Sequence, residues 1–473
     1  MNSTYAYQPM SRKKNIHFEV FERKVLLRII DICVVVLGLY FLQYCMGYDY
    51  LTLAQNNVVY LIVLAVYITI FGTIFEMYDL QKSSKLYVTF RNIVLTVSTT
   101  VLFYLLTPVL TPSLPEQRLE IIYFYFCIIV MIFLWRCFYI TFISTPRFYK
   151  KVLLVGEISN IENIIKPLNQ SDPNYKIVGF INSETEVGSP IKFKGLKEFE
   201  AQNLLQVIRE EKISEILIAS YNSETITSEI YQDLISLLNQ GFIIREYTQV
   251  FEELTYRVPM QFVGKDFYKY FPFSRSNQNT LYLFFQRVFD VVFSVSGLIF
   301  GCLILPFIVL GNLIANKGPL FYFQERIGQN GKLFQIVKLR SMIVNAETGG
   351  AKWAQVNDAR ITKFGMFLRR SRIDEIPQFV NVLKGDMSII GPRPERSFFV
   401  NELSRVIPFY ETRHIVKPGL TGWAQVNTSY GSSVDDSLTK LQYDLYYIKH
   451  RSVFLDINIV VKTLSTILYY RGQ

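Results

Sequence analysis

The sequence predicts three parts in order: an α-helical membrane bundle, a Rossmann-like α/β domain, and a polar C-terminal domain led by an apolar helix. Three observations predict this. Of the 473 residues, 50% are hydrophobic yet 19% are charged, which suits membrane segments joined to water-facing domains. Apolar stretches of helical length fill the first third of the chain. Beyond residue 150, short apolar runs alternate with amphipathic ones, the pattern of a parallel sheet with crossover helices. The boundaries fall at 1–148 for the bundle, 149–250 for the α/β domain, 251–280 for a linker and 281–473 for the last domain.

The bundle comes from apolar stretches at 29–46, 58–75, 93–110 and 121–143, each near the ~20 residues that cross hydrocarbon. No small-residue cleavage pattern follows the first, so a removable signal peptide is not expected. Arg28, Asp31 and Arg136 lie at or inside these stretches and are expected to snorkel or pair. Lysine and arginine set the orientation. The tail carries Arg12, Lys13, Lys14, Arg23 and Lys24; the first loop carries none; the second carries Lys82, Lys85 and Arg91; the third only Arg118. That alternation places the N-terminus and everything after residue 145 in the cytoplasm.

In the α/β domain, strands are expected at 152–155, 177–181, 215–219 and 242–247, with helices at 196–211 and 225–238. The first turn, Gly156 to Asn160, has one glycine where a dinucleotide fingerprint has three. A structural or regulatory role therefore leads over phosphate binding.

The apolar run 291–310 contains Pro306 and is flanked by cations on both sides: Lys265, Lys269, Arg275 and Arg287 before it, Lys317, Arg326, Lys332, Lys338 and Arg340 after it. A spanning helix with a tolerated proline fits its length. A re-entrant helix over about 288–315, bent at Pro306, fits its length and also the like charge of both flanks.

The net charge of +10 fits anionic lipid and phosphate-bearing substrates, not nucleic acid, in a chain with membrane segments. Cys33, Cys45, Cys127, Cys137 and Cys302 form no CxxC pair and read as buried small hydrophobes, not a disulfide framework or zinc site.

Candidate chemistry lies between residues 334 and 427. Asp374 and Glu375 open an amphipathic segment in which Pro377 fits a first helical turn. Asp374 reads either as a helix cap or as an ionised nucleophile, and Glu375 either as helix decoration or as a ligand for Mg²⁺. The segment 334–342 alternates as a strand would, placing Lys338 and Arg340 on one face. Arg369, Arg370 and Arg372 precede the acidic pair; Arg370 and Arg372 read as solvated charge or lipid contacts. Arg393 sits between Pro392 and Pro394, whose rings stiffen its turn, and arginine suits bidentate phosphate contact. The loop Pro418 to Trp423 reads equally as a structural turn.

Six ordered motifs then stand out: Gln324-Glu325-Arg326-Ile327-Gly328, Lys338-Leu339-Arg340-Ser341-Met342, Asp374-Glu375-Ile376-Pro377-Gln378, Gly385-Asp386-Met387-Ser388, Gly391-Pro392-Arg393-Pro394, and the run from Lys417-Pro418-Gly419 to Asn427. This set resembles the bacterial sugar transferases that are polyprenyl-phosphate glycosyl-1-phosphate transferases, the monotopic phosphoglycosyl transferases. The four spans and the α/β domain resemble the large members, so the likeness covers nearly the whole chain. Leu305 replaces the usual serine before the proline of the bend, Leu339 a usual phenylalanine, and Ile376 a usual leucine.

The resemblance implies a C-terminal α+β catalytic domain anchored by a re-entrant membrane helix with its bend at Pro306. It implies transfer of a sugar-1-phosphate from a UDP-sugar to undecaprenyl phosphate, releasing UMP and starting exopolysaccharide, capsule or O-antigen synthesis. Asp374 would be the nucleophile of a covalent phosphosugar intermediate and Glu375 the Mg²⁺ ligand. Lys338, Arg340, Arg369, Pro392, Arg393 and Pro394 would bind substrate. A homodimer at the bacterial cytoplasmic membrane is implied as well. Two other classes compete: a membrane scaffold or sensor, and a nucleotide-sugar epimerase or dehydratase. The intact acidic pair argues against the first, the missing glycine fingerprint against the second.

Overall fold

The computed structural model describes residues 20–47, 58–80, 82–83, 85–115, 117–143, 149–156, 161–172, 174–182, 196–219, 227–260, 279–344, 346, 358–428 and 433–468. Of the expected features, the basic tail at 12–14, the turn at 157–160, and Lys265, Lys269 and Arg275 lie outside these residues. The chain forms two compact units, Met1–Thr255 and Tyr256–Gln473.

The first unit begins with apolar helices α1 (Val20–Met46), α2 (Val58–Ile74), α3 (Leu86–Leu105) and α4 (Arg118–Phe138), the last continuing as a π turn to Ile143. Phe21–Cys45, Leu86–Leu105 and Arg118–Phe142 are long and apolar enough to cross a membrane. With 17 residues α2 falls short, at about 26 Å of helix against ~30 Å of hydrocarbon. The third span begins seven residues and ends five residues earlier than hydropathy alone places it. Pro108 disfavours helical backbone at Thr107, so the helix stops by Leu105. Asp31 and Arg136 do pair, at 2.6 Å and with both side chains fully buried. Arg28 and Arg136 also lie over the Tyr78 ring. Arg23 of α1 is buried against Asp172 at 2.5 Å.

A five-stranded parallel sheet follows, ordered β3-β2-β1-β4-β5. Its strands are β1 (Lys150–Gly156), β2 (Tyr175–Asn182), β3 (Lys197–Phe199), β4 (Glu215–Ala219) and β5 (Ile243–Glu246), with helices α5 (Ile161–Ser171), α6 (Leu204–Glu210), α7 (Ser228–Asn239) and α8 (Tyr247–Thr255). The expected helix at 196–211 is half wrong. Its first residues form edge strand β3, because Gly179 leaves room for the Phe199 ring: a Cβ there would lie 2.4 Å from it.

The second unit starts before residue 281. Tyr256, Val258 and Met260, expected to be linker, pack in its core, and the Tyr256 carbonyl accepts from Trp423 Nε1 at 3.1 Å. Its longest element, α9 (Thr280–Gly311), is helical through Pro306 and ends in a π turn, Asn312–Asn316. One face carries Tyr282, Gln286, Asp290, Ser294, Gly297, Gly301, Ile304, Ile308 and Asn312, close to the 3.6-residue period. This face packs on the unit from end to end. Tyr282 Oη donates to Asp456, Asp290 accepts from Ser388 Oγ and the Ile389 amide, and Arg287 donates to the carbonyls of Val382 and Leu383. Gly297 and Gly301 lie against Phe379 and Ile376, Gly311 against Phe364. The opposite face is apolar and exposed, with Val292, Ile299, Leu303 and Phe307 on it. All five cysteines are free, and Cys33, Cys45 and Cys302 are exposed where burial was expected, because the outward faces of these helices are apolar too.

The remainder is a small α+β assembly. Hairpin β6 (Phe321–Ile327) and β7 (Leu333–Leu339) is antiparallel; β8 (Ser388–Ile390) and β9 (Gly419–Thr421) form a parallel pair. Helices α10 (Lys363–Arg370), α11 (Phe379–Lys384), α12 (Ser397–Val406), α13 (Trp423–Asn427), α14 (Val434–Lys449) and α15 (Val453–Leu468) surround them. Val382, Met387, Ile390, Leu441, Leu445 and Ile459 form the centre of the core.

Candidate active site

Asp374 and Glu375 lie on a 3₁₀ turn, Ile373–Gln378, between α10 and α11. Asp374 is not the expected cap. The turn opens at Arg372, whose backbone is left-handed, and the Glu375 amide donates to the Arg372 carbonyl at 3.2 Å. Pro377 has no N–H for an α-type bond to Ile373, so the tighter turn is the natural local solution. Gly301 backs the turn: a Cβ there would come 2.7 Å from the Ile376 side chain. The acidic pair therefore stands one layer of side chains from the apolar helix.

Both carboxylates are buried, at 7% and 8% exposure, and their surroundings differ. Glu375 Oε1 accepts from Arg393 Nη2 at 3.1 Å and Lys338 Nζ at 3.3 Å, and Oε2 accepts from Arg372 Nη1 at 3.3 Å. Asp374 Oδ1 has no hydrogen-bond partner among the described residues. Burial, reinforced by the Glu375 charge, pushes the Asp374 carboxyl up to about 6. Burial works the same way on Glu375, but Arg393, Lys338 and Arg372 outweigh it and hold that carboxyl well below the usual range. Burial, opposed by Glu375 and aided by Arg393, holds the Lys338 ammonium below its ordinary value. Two neighbouring carboxyls pushed apart in this way suit different tasks.

The expected basic residues divide. Lys338 and Arg393 meet at Glu375. Arg369 donates from Nε to Ser341 Oγ at 2.9 Å, and its charge helps keep Asp374 ionisable. Arg340 does not share a strand face with Lys338. Strand β7 ends at Leu339, and the Arg340 guanidinium donates to the carbonyls of Pro319 at 2.7 Å, Met342 at 3.0 Å, and Asn316. It ties the end of the apolar helix to the hairpin. Arg372, read as solvated charge, is a partner of Glu375; Arg370 is exposed as expected.

Four hydrogen bonds lock the turn that carries Arg393. Arg326 donates to the Pro394 carbonyl at 3.1 Å, Arg413 to the Arg393 carbonyl at 3.2 Å, the Gly419 amide to the Pro392 carbonyl at 2.9 Å, and the Gly391 amide to Thr421 at 2.9 Å. A Cβ at Gly419 would lie 2.1 Å from the Gly391 amide nitrogen. The glycines of the 418–422 loop are thus a packing requirement. On β6, Gln324 donates to Tyr322 Oη at 3.0 Å and accepts from Arg326 at 2.6 Å; Tyr322 is the cross-strand partner of Lys338. Sequence reasoning passed over Arg413 and Asp444 altogether. The available signal was a lone carboxylate among Leu441, Leu445 and Ile448 on the apolar face of α14.

The donor set fits a magnesium ion, which takes one or two carboxylates and fills its shell with water and phosphate oxygens. Asp374 and Glu375 are adjacent, and one Asp374 oxygen is buried without a partner among the described residues.

Fold and site together define a multidomain, membrane-associated protein with a buried acidic pair set among arginines and a lysine. The family model described as bacterial sugar transferase matches residues 281–470, and one described as CoA-binding domain matches 73–226. A UDP-N-acetylgalactosamine-undecaprenyl-phosphate N-acetylgalactosaminephosphotransferase of Aeromonas hydrophila is 48% identical over 189 residues, 40% of this chain and 44% of the relative. A putative undecaprenyl-phosphate N-acetylgalactosaminyl 1-phosphate transferase of Bacillus subtilis is 46% identical over 144 residues, 30% of this chain and 79% of the relative. A UDP-glucose:undecaprenyl-phosphate glucose-1-phosphate transferase of Escherichia coli is 41% identical over 183 residues, 38% of this chain and 39% of the relative. The chain belongs to the bacterial sugar transferase family. It matches less than half the length of the Aeromonas and Escherichia relatives.

Proposed function

We propose that this protein transfers a sugar-1-phosphate from a UDP-sugar to undecaprenyl phosphate at the cytoplasmic face of a bacterial membrane, through a covalent intermediate on Asp374. The observation that carries the proposal is the division of labour in the acidic pair. Asp374 has a buried oxygen without a partner among the described residues, and Glu375 is held ionised by three cations.

In the first step an Asp374 oxygen attacks the β-phosphorus of the donor. The bond from that phosphorus to the bridging oxygen breaks, and UMP leaves with the electron pair. Asp374 then carries the phosphosugar as an acyl phosphate. In the second step a phosphate oxygen of undecaprenyl phosphate attacks the same phosphorus and Asp374 leaves as a carboxylate. Two steps let one nucleophile serve a soluble donor and a lipid acceptor in turn. Lys338, Arg369 and Arg393, basic groups beside the acidic pair, would orient the donor diphosphate. Glu375, with Asp374, would hold Mg²⁺, which neutralises diphosphate charge when bound.

The packing of α9 supports a helix that enters and leaves on one side. Its contacts with a single folded unit run from Tyr282 to Asn316, about 51 Å of helix. A spanning helix would carry one end away from that unit.

The test is UMP release by the purified full chain in lipid nanodiscs, screened across UDP-sugars with and without undecaprenyl phosphate. Sustained release is expected for at least one sugar, and only with the acceptor. No release with any UDP-sugar, from folded protein with Mg²⁺ and acceptor present, would overturn the proposal.

A further inference from the structure

The three cations around Glu375 are anchored very differently. Lys338 reaches Oε1 from a paired strand. Arg393 reaches the same oxygen from a turn locked by Arg326, Arg413, Gly419 and Thr421. Arg372 is the sole ion-pair partner of Oε2 among the described residues. It comes from only three residues upstream, its side chain is the nearest to solvent but for Arg393, and its backbone is left-handed, at φ 58° and ψ 14°. Residues other than glycine are uncommon there, and such backbone strain gathers at functional sites.

A divalent ion that takes Glu375 as ligand must remove a cation from one of its oxygens, since like charges repel at contact distance. Lys338 and Arg393 are fixed by strand and turn. Among the described residues the Arg372 guanidinium hydrogen-bonds to nothing but Glu375, and a guanidinium suits a phosphate oxygen as well as a carboxylate. We propose that Arg372 is an exchange residue: its guanidinium holds Glu375 Oε2 and passes to the donor diphosphate as a divalent ion takes that oxygen. This rests on the reading of Glu375 as a metal ligand. Its consequence is coupling. The ion alone must break the Arg372 pair without recompense, whereas the ion together with a diphosphate gives Arg372 a new partner. Each then strengthens the binding of the other.

The test titrates Mn²⁺ into full-length protein in nanodiscs, reading free Mn²⁺ by electron paramagnetic resonance with and without UDP as diphosphate probe. The Mn²⁺ held by UDP in solution is subtracted. Four proteins are compared: wild type, Arg372→Asn, Arg372→Lys and Glu375→Gln. Asparagine tolerates the left-handed backbone, and Arg372→Gly serves as a second neutral variant should it fail to fold. Without UDP, the neutral variant is expected to bind Mn²⁺ roughly tenfold or more tightly than wild type. Arg372→Lys is expected to match wild type. UDP is expected to close most of the gap. Equal affinity of wild type and the neutral variant without UDP, alongside lost binding in Glu375→Gln, would overturn the exchange and leave Glu375 as the ligand. Wild-type Mn²⁺ affinity in Glu375→Gln would instead overturn the ligand reading, and the exchange with it.

Discussion

Arg413 and Asp444 form a buried ion pair, Nη2 to Oδ2 at 2.7 Å, and the same nitrogen donates to the Arg393 carbonyl at 3.2 Å. The pair is a brace for the turn that brings Arg393 to Glu375. Tyr410 completes it, its hydroxyl accepting from Arg413 Nη1 at 2.7 Å. Asp444→Ala leaves a buried guanidinium without its counter-charge, which costs about 3–5 kcal/mol. The expected outcome is a clearly lower midpoint of thermal unfolding and, in the protein that remains folded, a raised KM for the UDP-sugar. An unchanged midpoint would mean that water replaces the carboxylate.

Asp374→Asn and Glu375→Gln are expected to fail differently. Asparagine is no nucleophile, so incubation with labelled UDP-sugar and no acceptor should leave the protein unlabelled by mass. Glutamine at 375 weakens metal binding and keeps the nucleophile, so slow labelling that rises with Mg²⁺ is expected. Label on the Asp374→Asn protein would place the nucleophile elsewhere.

The position of the Asp374 carboxyl, near 6, sets a pH dependence. Attack needs the carboxylate, so the acceptor-free labelling rate should fall as pH drops through about 6. Omitting the acceptor keeps its own phosphate titration out of the profile. Bound Mg²⁺ favours the carboxylate, so raising Mg²⁺ should move this fall to lower pH; a rate that stays flat down to pH 5 at the lowest Mg²⁺ that supports labelling would contradict the assignment.

Stability should run the other way. A carboxyl raised from 3.8 to about 6 in the fold favours the folded state most below its unfolded pKa and loses that contribution as pH rises through about 6. At pH 7.5 the ionised Asp374 therefore opposes folding, by up to about 3 kcal/mol at 1.36 kcal/mol per unit. Asp374→Asn is expected to be more stable than wild type at pH 7.5, with the difference gone below about pH 4. Thermal unfolding at the two pH values measures it.

Arg340→Ala should separate structure from binding. It strands three carbonyls that the guanidinium now serves, with a loss of about 2–4 kcal/mol expected. Arg340→Lys should not rescue, since one ammonium cannot match the planar fork. KM for the donor in folded protein should stay near wild type. A large KM rise without loss of stability would return Arg340 to the substrate.

For the apolar helix, single cysteines at Asn279 and Lys317 in a cysteine-free background should react with a membrane-impermeant reagent from the same side. Opposite sides would make α9 a spanning helix.

Much of this protein was legible in its residues. Hydrophobic period and length give the apolar helices and strands β1, β2, β4 and β5, because burying an apolar face against water or lipid is decided locally. Lys338 and Arg393 stood out for their stiff local frames, whereas Asp374 and Glu375 read either as cap and decoration or as nucleophile and metal ligand, and only the six ordered motifs favoured the second reading. What only the tertiary structure decided depends on partners distant in sequence. Edge strand β3 exists because Gly179 leaves space for Phe199. Arg340 turns to carbonyls away from Lys338, and Arg372 meets Glu375, because the chain turns at Leu339 and at a left-handed Arg372. Arg413 and Asp444, 31 positions apart, became one brace. Periodicity reports which face of a segment is buried; it does not report which distant group that face will meet, and charge placement in a folded interior is settled by that meeting.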